Sequence, residues 1–198
     1  MAGYSAKTTG RFAQTRFLMV RYGTKGKVDR GFGGDGKVTT DFGYDDGAYA
    51  LVRQPDNKLV AAGYSVRNRG TNTKFALARY EADGKLDQAF GEGGRVFTPM
   101  GTDGAAAYDL ARLPNGRLVA AGSSGTFALA EYTPSGALDG SFGEGGRVLT
   151  KFRNDADAGE AVAAQGDGRV ILAGKSTFCD EVNEVCEDSF ALVRYRVR

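Results

Sequence analysis

The 198 residues carry 26 Lys and Arg against 24 Asp and Glu, a formal net charge of +2. So even a balance leaves no broad electrostatic footprint for nucleic acid or an anionic membrane, and no run of about 18 apolar residues is present to span one. There is no histidine and no tryptophan, which removes the commonest general base and metal ligand and excludes any His-containing triad.

Thirty glycines beside four prolines, in a chain that is 41% apolar, point to many tight turns rather than to disorder. In chain order, Ala-Gly-Tyr-Ser opens at residue 2 and returns at residue 62. The segment Phe17–Tyr22 (FLMVRY) returns as Phe75–Tyr80 (FALARY), Phe127–Tyr132 (FALAEY) and Phe190–Tyr195 (FALVRY). Each of the first three copies is followed by a glycine-rich segment, KVDRGFGGDGKVTT from residue 27, KLDQAFGEGGRVFT from 85 and ALDGSFGEGGRVLT from 137. Next come AYALVRQPDNKLVAAG, AYDLARLPNGRLVAAG and EAVAAQGDGRVILAG, each holding a hairpin signal: Pro55-Asp56-Asn57, Pro114-Asn115-Gly116 and Asp167-Gly168.

The best-preserved copy predicts four strands, at 48–54, 58–64, 75–80 and 94–98. The continuous apolar run Leu59–Ala62 suits a strand covered on both faces. Four antiparallel strands per unit of roughly 40–60 residues is the pattern of a β-propeller blade. The expected fold is therefore all-β, a propeller of about three and a half to four blades in one domain over 1–198. Its repeats fall near 1–47, 48–104, 105–157 and 158–198. The motifs RYEADGKLDQAFGEGGRV and QPDNKLVAAG resemble the delta-60 repeat propellers, a bacterial family often secreted or surface-bound. The resemblance covers nearly the whole chain and implies a fold rather than an activity.

The first 22 residues align with 61–80, so the array opens inside a second strand and closes after a third, fourteen strands in all. Three arrangements fit: a portion of a larger propeller, a ring completed by oligomerisation such as a homodimer, or self-closure with the terminal pieces sharing a blade.

Residues that recur in every unit read as architecture. Asp29, Asp87 and Asp139 suit turn residues accepting backbone N–H groups, with Phe32, Phe90 and Phe142 packed between blades. Arg21, Arg79 and Arg194 suit donors to carbonyls or to those aspartates. The alternatives are repeated metal sites for the aspartates and a sugar or phosphate contact for the arginines. Departures from the repeat are more informative. The stretch 65–74 is a basic loop with Arg67, Arg69 and Lys74, and 176–189 is an acidic loop with Asp180, Glu181, Glu184, Glu187 and Asp188. These loops and the connections 41–47, 99–106 and 151–159 fall at one end of the units. Asp45, Asp46, Arg67, Arg69, Asp103, Asp155 and Asp157 are therefore the candidate ligand-binding residues. The alternative is loop drift without function. Asn154, Asp155, Asp157 and Glu160 offer oxygens to calcium but lack a full calcium-loop spacing, so no cofactor and no metal site are expected. Cys179 and Cys186 are the only cysteines. A disulfide between them suits an extracellular or cell-surface setting; free thiols and zinc are the alternatives.

The expected function is a non-catalytic scaffold that binds a protein or a glycan. The alternatives are a carboxylate-based hydrolase or lyase in the central channel, and an inert portion of a longer secreted repeat protein.

Overall fold

The structure is a computed structural model. It describes residues 1–9, 12–43, 45–67, 72–101, 104–152, 156–180 and 185–197, with the side chains of 7–9, 12, 13, 67 and 72 left aside. Fourteen strands are described and no helix. They form four antiparallel meanders. The first holds β1 (Ala2–Thr9), β2 (Phe12–Val20) and β3 (Lys37–Thr40). The second holds β4 (Asp45–Arg53), β5 (Leu59–Arg67), β6 (Asn72–Tyr80) and β7 (Arg95–Thr98). The third holds β8 (Ala106–Arg112), β9 (Leu118–Ser123), β10 (Phe127–Tyr132) and β11 (Arg147–Thr150). The last holds β12 (Ala156–Ala164), β13 (Arg169–Asp180) and β14 (Val185–Arg196). Within each sheet the strands pair in chain order. The strand inventory is the one the repeats predict.

Alternation along β2, β6, β10 and β14 makes the two faces of each sheet different. Phe75 and Leu77 point toward the following sheet, whereas Ala76, Ala78 and Tyr80 point back toward the preceding one. Phe127 and Leu129 go forward in the same way, and Ala128, Ala130 and Tyr132 go back. Large residues of one sheet thus seat on small residues of the next, which lets the sheets approach closely. Three core clusters result, between sheets one and two, two and three, and three and four.

A hydrogen bond marks each of these contacts. The Tyr80 phenol meets the Thr40 hydroxyl at 2.6 Å. Tyr132 donates to Thr98 at 2.8 Å, and Tyr195 to Thr150 at 2.7 Å. The threonine always ends the last strand of the preceding sheet. Burial pushes the Tyr80 phenol up to about 12, with the Thr40 bond a smaller opposing effect, so the group stays neutral.

The glycine-rich segment locks the same contact from the outer side. Asp29, Asp87 and Asp139 each accept the amide two residues on, from Gly31, Ala89 and Ser141. Phe32, Phe90 and Phe142 are buried. Arg79 donates to Asp87 at 2.7 Å, lies over Phe90 and reaches the Pro134 carbonyl of the next sheet. Arg21 does the same with Asp29, Phe32 and Ala82. In the third sheet Glu131 stands at this arginine's position. There Arg117 swings in to bond both Glu131 and Asp139, so the buried charge remains paired.

The structure corrects one expectation. The charged stretches 65–74 and 176–189 are largely ladder, not loop. β5 runs to Arg67 and β6 begins at Asn72; β13 runs to Asp180 and β14 begins at Val185. These hairpins extend past the sheet core, and positions 185–190 of β14 all face solvent. Backbone pairing, not apolar burial, continues the strands there.

The Tyr–Thr bond yields a test. Tyr132→Phe should cost about 1–2 kcal/mol in urea unfolding, since it strands a buried hydroxyl. Tyr22→Phe, at the matching but exposed position of the first repeat, should leave the midpoint unchanged.

Candidate functional site

The first strands β4, β8 and β12 pack side by side, while the fourth strands diverge. The first strands therefore form the inner edge of the array. Each carries a β-bulge, at Tyr49, Tyr108 and Glu160. The recurring Ala-Gly of the neighbouring strand makes this possible. A Cβ on Gly63, Gly122 or Gly174 would lie within 2 Å of the carbonyl oxygen of Gly47, Ala106 or Ala158 respectively, so only glycine admits the approach. The bulge then re-aims one residue per repeat away from the packed faces.

The re-aimed residues meet solvent. Tyr49 is 50% exposed and Tyr108 38%. The Tyr49 ring lies 5.5 Å from that of Tyr64 and 5.5 Å from that of Tyr108, tilted against both. Tyr64 lies against Gly47, where a Cβ would collide with its ring. Tyr4, 61% exposed, occupies in the first sheet the place of Tyr64 in the second. Burial, then the phenols of Tyr64, Tyr108 and Tyr4, pushes Tyr49 above the usual tyrosine range. Four tyrosines from three consecutive sheets thus make one aromatic strip along the inner edge.

The residues expected to bind a ligand are distributed differently. Asp46 and Asp157 are equivalent and buried. Asp46 accepts the Phe42 amide at 2.7 Å, and Asp157 the Phe152 amide at 2.8 Å. Each closes the connection that carries the chain into the next sheet. Burial pushes the Asp46 carboxyl up, the Phe42 amide offsets part of this, and Asp41 and Asp45 add to the rise. Asp45 is exposed and accepts the Thr15 amide. Arg69, Asp103 and Asp155 lie outside the described residues, as does Asn154, and the Arg67 side chain is likewise not described. The structure brings Asp45 and Asp46 together and sets Asp157 two sheets away. Among the described residues no cluster of three or more Cys, Asp or Glu could hold a metal ion. Cys179 and Cys186 are directly opposite in the β13–β14 ladder and joined by a disulfide.

Residues 54–90 and 113–142 match the family model of a β-propeller domain of unknown function, DUF5122. The repeats are β-propeller repeats. The matched stretches run from a hairpin turn to the phenylalanine packed between blades, in two successive blades. Tyr49 and Tyr108 fall outside them. No curated protein matches the chain. No helix among the described residues is long and apolar enough to cross a membrane.

The propeller's buried Asp46 supplies a pH test. A carboxyl whose pKa is raised by folding holds its proton more tightly in the fold. Its contribution is complete below the ordinary value of 3.8 and falls as pH rises through the folded pKa. Asp46→Asn keeps an acceptor for the Phe42 amide and carries no charge. The variant should gain stability relative to wild type as pH rises from about 3 to 7, read from urea midpoints across that range.

Proposed function

We propose that this β-propeller is a non-catalytic interaction scaffold whose outer blades associate with a second copy of the chain. One observation carries this reading. Phe17, Phe75 and Phe127 are 0% exposed, each seated on the following blade, whereas the fourth copy, Phe190, is 79% exposed. Leu192 beside it is also exposed. The first blade presents the opposite face of the same strand, where Leu18 and Val20 stand in place of the alanines of blades two and three, beside Tyr22, all at least partly exposed. Blade four therefore offers the large half of an interface that is built three times inside the chain, and blade one offers its opposite, outward face. A second copy placed head to tail brings these two faces together.

The carboxylates weigh against catalysis. Asp46 and Asp157 hold loop amides, and the buried Glu131 is paired with Arg117. Burial holds the Glu131 carboxyl above its ordinary value, and Arg117 offsets part of that rise. The disulfide favours an oxidising, extracellular or cell-surface setting.

Light scattering on a size-exclusion column tests the association. Wild type should elute at a multiple of the single-chain mass. Phe190→Asp removes the burial of a large side chain, worth about 1.5–3 kcal/mol, and should weaken association at least about tenfold without changing the circular dichroism spectrum. A wild-type chain that stays at one mass at every concentration sinks the reading.

A further inference from the structure

The tyrosine strip has no role in the blade contacts just described. The bulges set Tyr49 and Tyr108 outside the packed faces, and three of the four rings are a third or more exposed. A ring that stabilised the fold would be turned inward, as Tyr80 and Tyr132 are. Here the backbone is distorted, at positions enforced by Gly63 and Gly122, and the side chain it frees is aromatic in two successive blades. We propose that Tyr49, Tyr64, Tyr108 and Tyr4 form a binding site for a neutral oligosaccharide, running along the inner edge of blades one to three.

The chemistry of the strip selects this class of ligand. A tyrosine ring has a negative face and a hydroxyl tip. A pyranose has the complement, a face of C–H hydrogens with hydroxyls around its rim. Each phenol can both donate and accept to those hydroxyls. Phosphate or nucleic acid would call for cations, and the three bulge positions carry Tyr, Tyr and Glu. The Glu160 carboxylate, exposed at the third position, is an acceptor suited to a sugar hydroxyl and hostile to an anion. A buried apolar tail would need an apolar groove, whereas this surface alternates ring and hydroxyl. The rings also continue from blade to blade, which suits a linear chain of sugars better than a single one.

The chain lacks tryptophan, so its intrinsic emission comes from its nine tyrosines, and the strip's share of a change is identified by the Tyr49 and Tyr108 variants. The full chain should be titrated with cellohexaose, chitohexaose, maltohexaose and xylohexaose, each to about 10 mM, following tyrosine fluorescence and heat. At least one should give saturable binding at a dissociation constant of about 1 mM or tighter. Tyr49→Ala and Tyr108→Ala should each weaken it about tenfold or more. Tyr49→Phe should retain the larger part, because the ring remains. Tyr22→Ala, at an exposed tyrosine outside the strip, should bind as wild type does. The proposal fails if none of the four sugars binds saturably, or if binding is equal in wild type and a folded Tyr49→Ala. Binding by a tyrosine-dependent peptide alone would overturn it too. None of these outcomes depends on the mass in solution, so the strip and the blade-to-blade association stand or fall separately.

Discussion

Everything in this molecule depends on a sheet with two unlike faces. A strand that reads Phe-Ala-Leu-Ala places its bulk on one side and its methyl groups on the other. Stacking then has a direction, because bulk fits only against methyl. The close approach this permits is also what allows a tyrosine to reach the threonine of the preceding blade and an arginine to reach the turn of the following one. Those polar bonds are short because the alanines have already brought the backbones near. Remove the size asymmetry, and neither set of bonds could span the gap.

Most of the fold was legible because it repeats. Four copies of one strand, with a hairpin signal between copies, determine strand order and number with little room for error. Recurrence also marked Asp29, Asp87 and Asp139 as turn residues, and each holds its own turn. Two features were not visible. The outer parts of the β5–β6 and β13–β14 hairpins bury no apolar face, so their polar alternation resembles loop sequence. The pairing that holds them, which places Cys179 opposite Cys186, is backbone hydrogen bonding, and that leaves little trace in side-chain pattern.

The candidate site was harder to read for a different reason. Attention to charged breaks in the repeat led to Asp46 and Asp157, whose carboxylates turn inward to bind loop amides. Polarity at a strand entrance looks the same whether it serves solvent or backbone. The tyrosine strip, by contrast, was written inside the repeat as Ala-Tyr at 48–49 and 107–108. Regular alternation would have put Tyr49 in line with its neighbours. Only the bulge, made by a glycine on the adjacent strand, turns it out. The signal existed in the recurring Ala-Gly opposite Ala-Tyr, but it becomes readable only once the two strands are known to pair.

The direction of stacking also has a temporal side. Each forward face is covered by the blade that follows it in the chain, and therefore by residues not yet made when that face first folds. During synthesis a fresh patch of Phe and Leu waits for roughly 50 more residues, about 3–10 s at ordinary elongation rates. Each blade is a complete meander of consecutive strands, so it can form before its cover arrives. The growing chain thus always ends in one adhesive face, handed on from Phe17 to Phe75 to Phe127. Chaperones meeting this protein on the ribosome would encounter the same surface again and again, displaced by one blade each time.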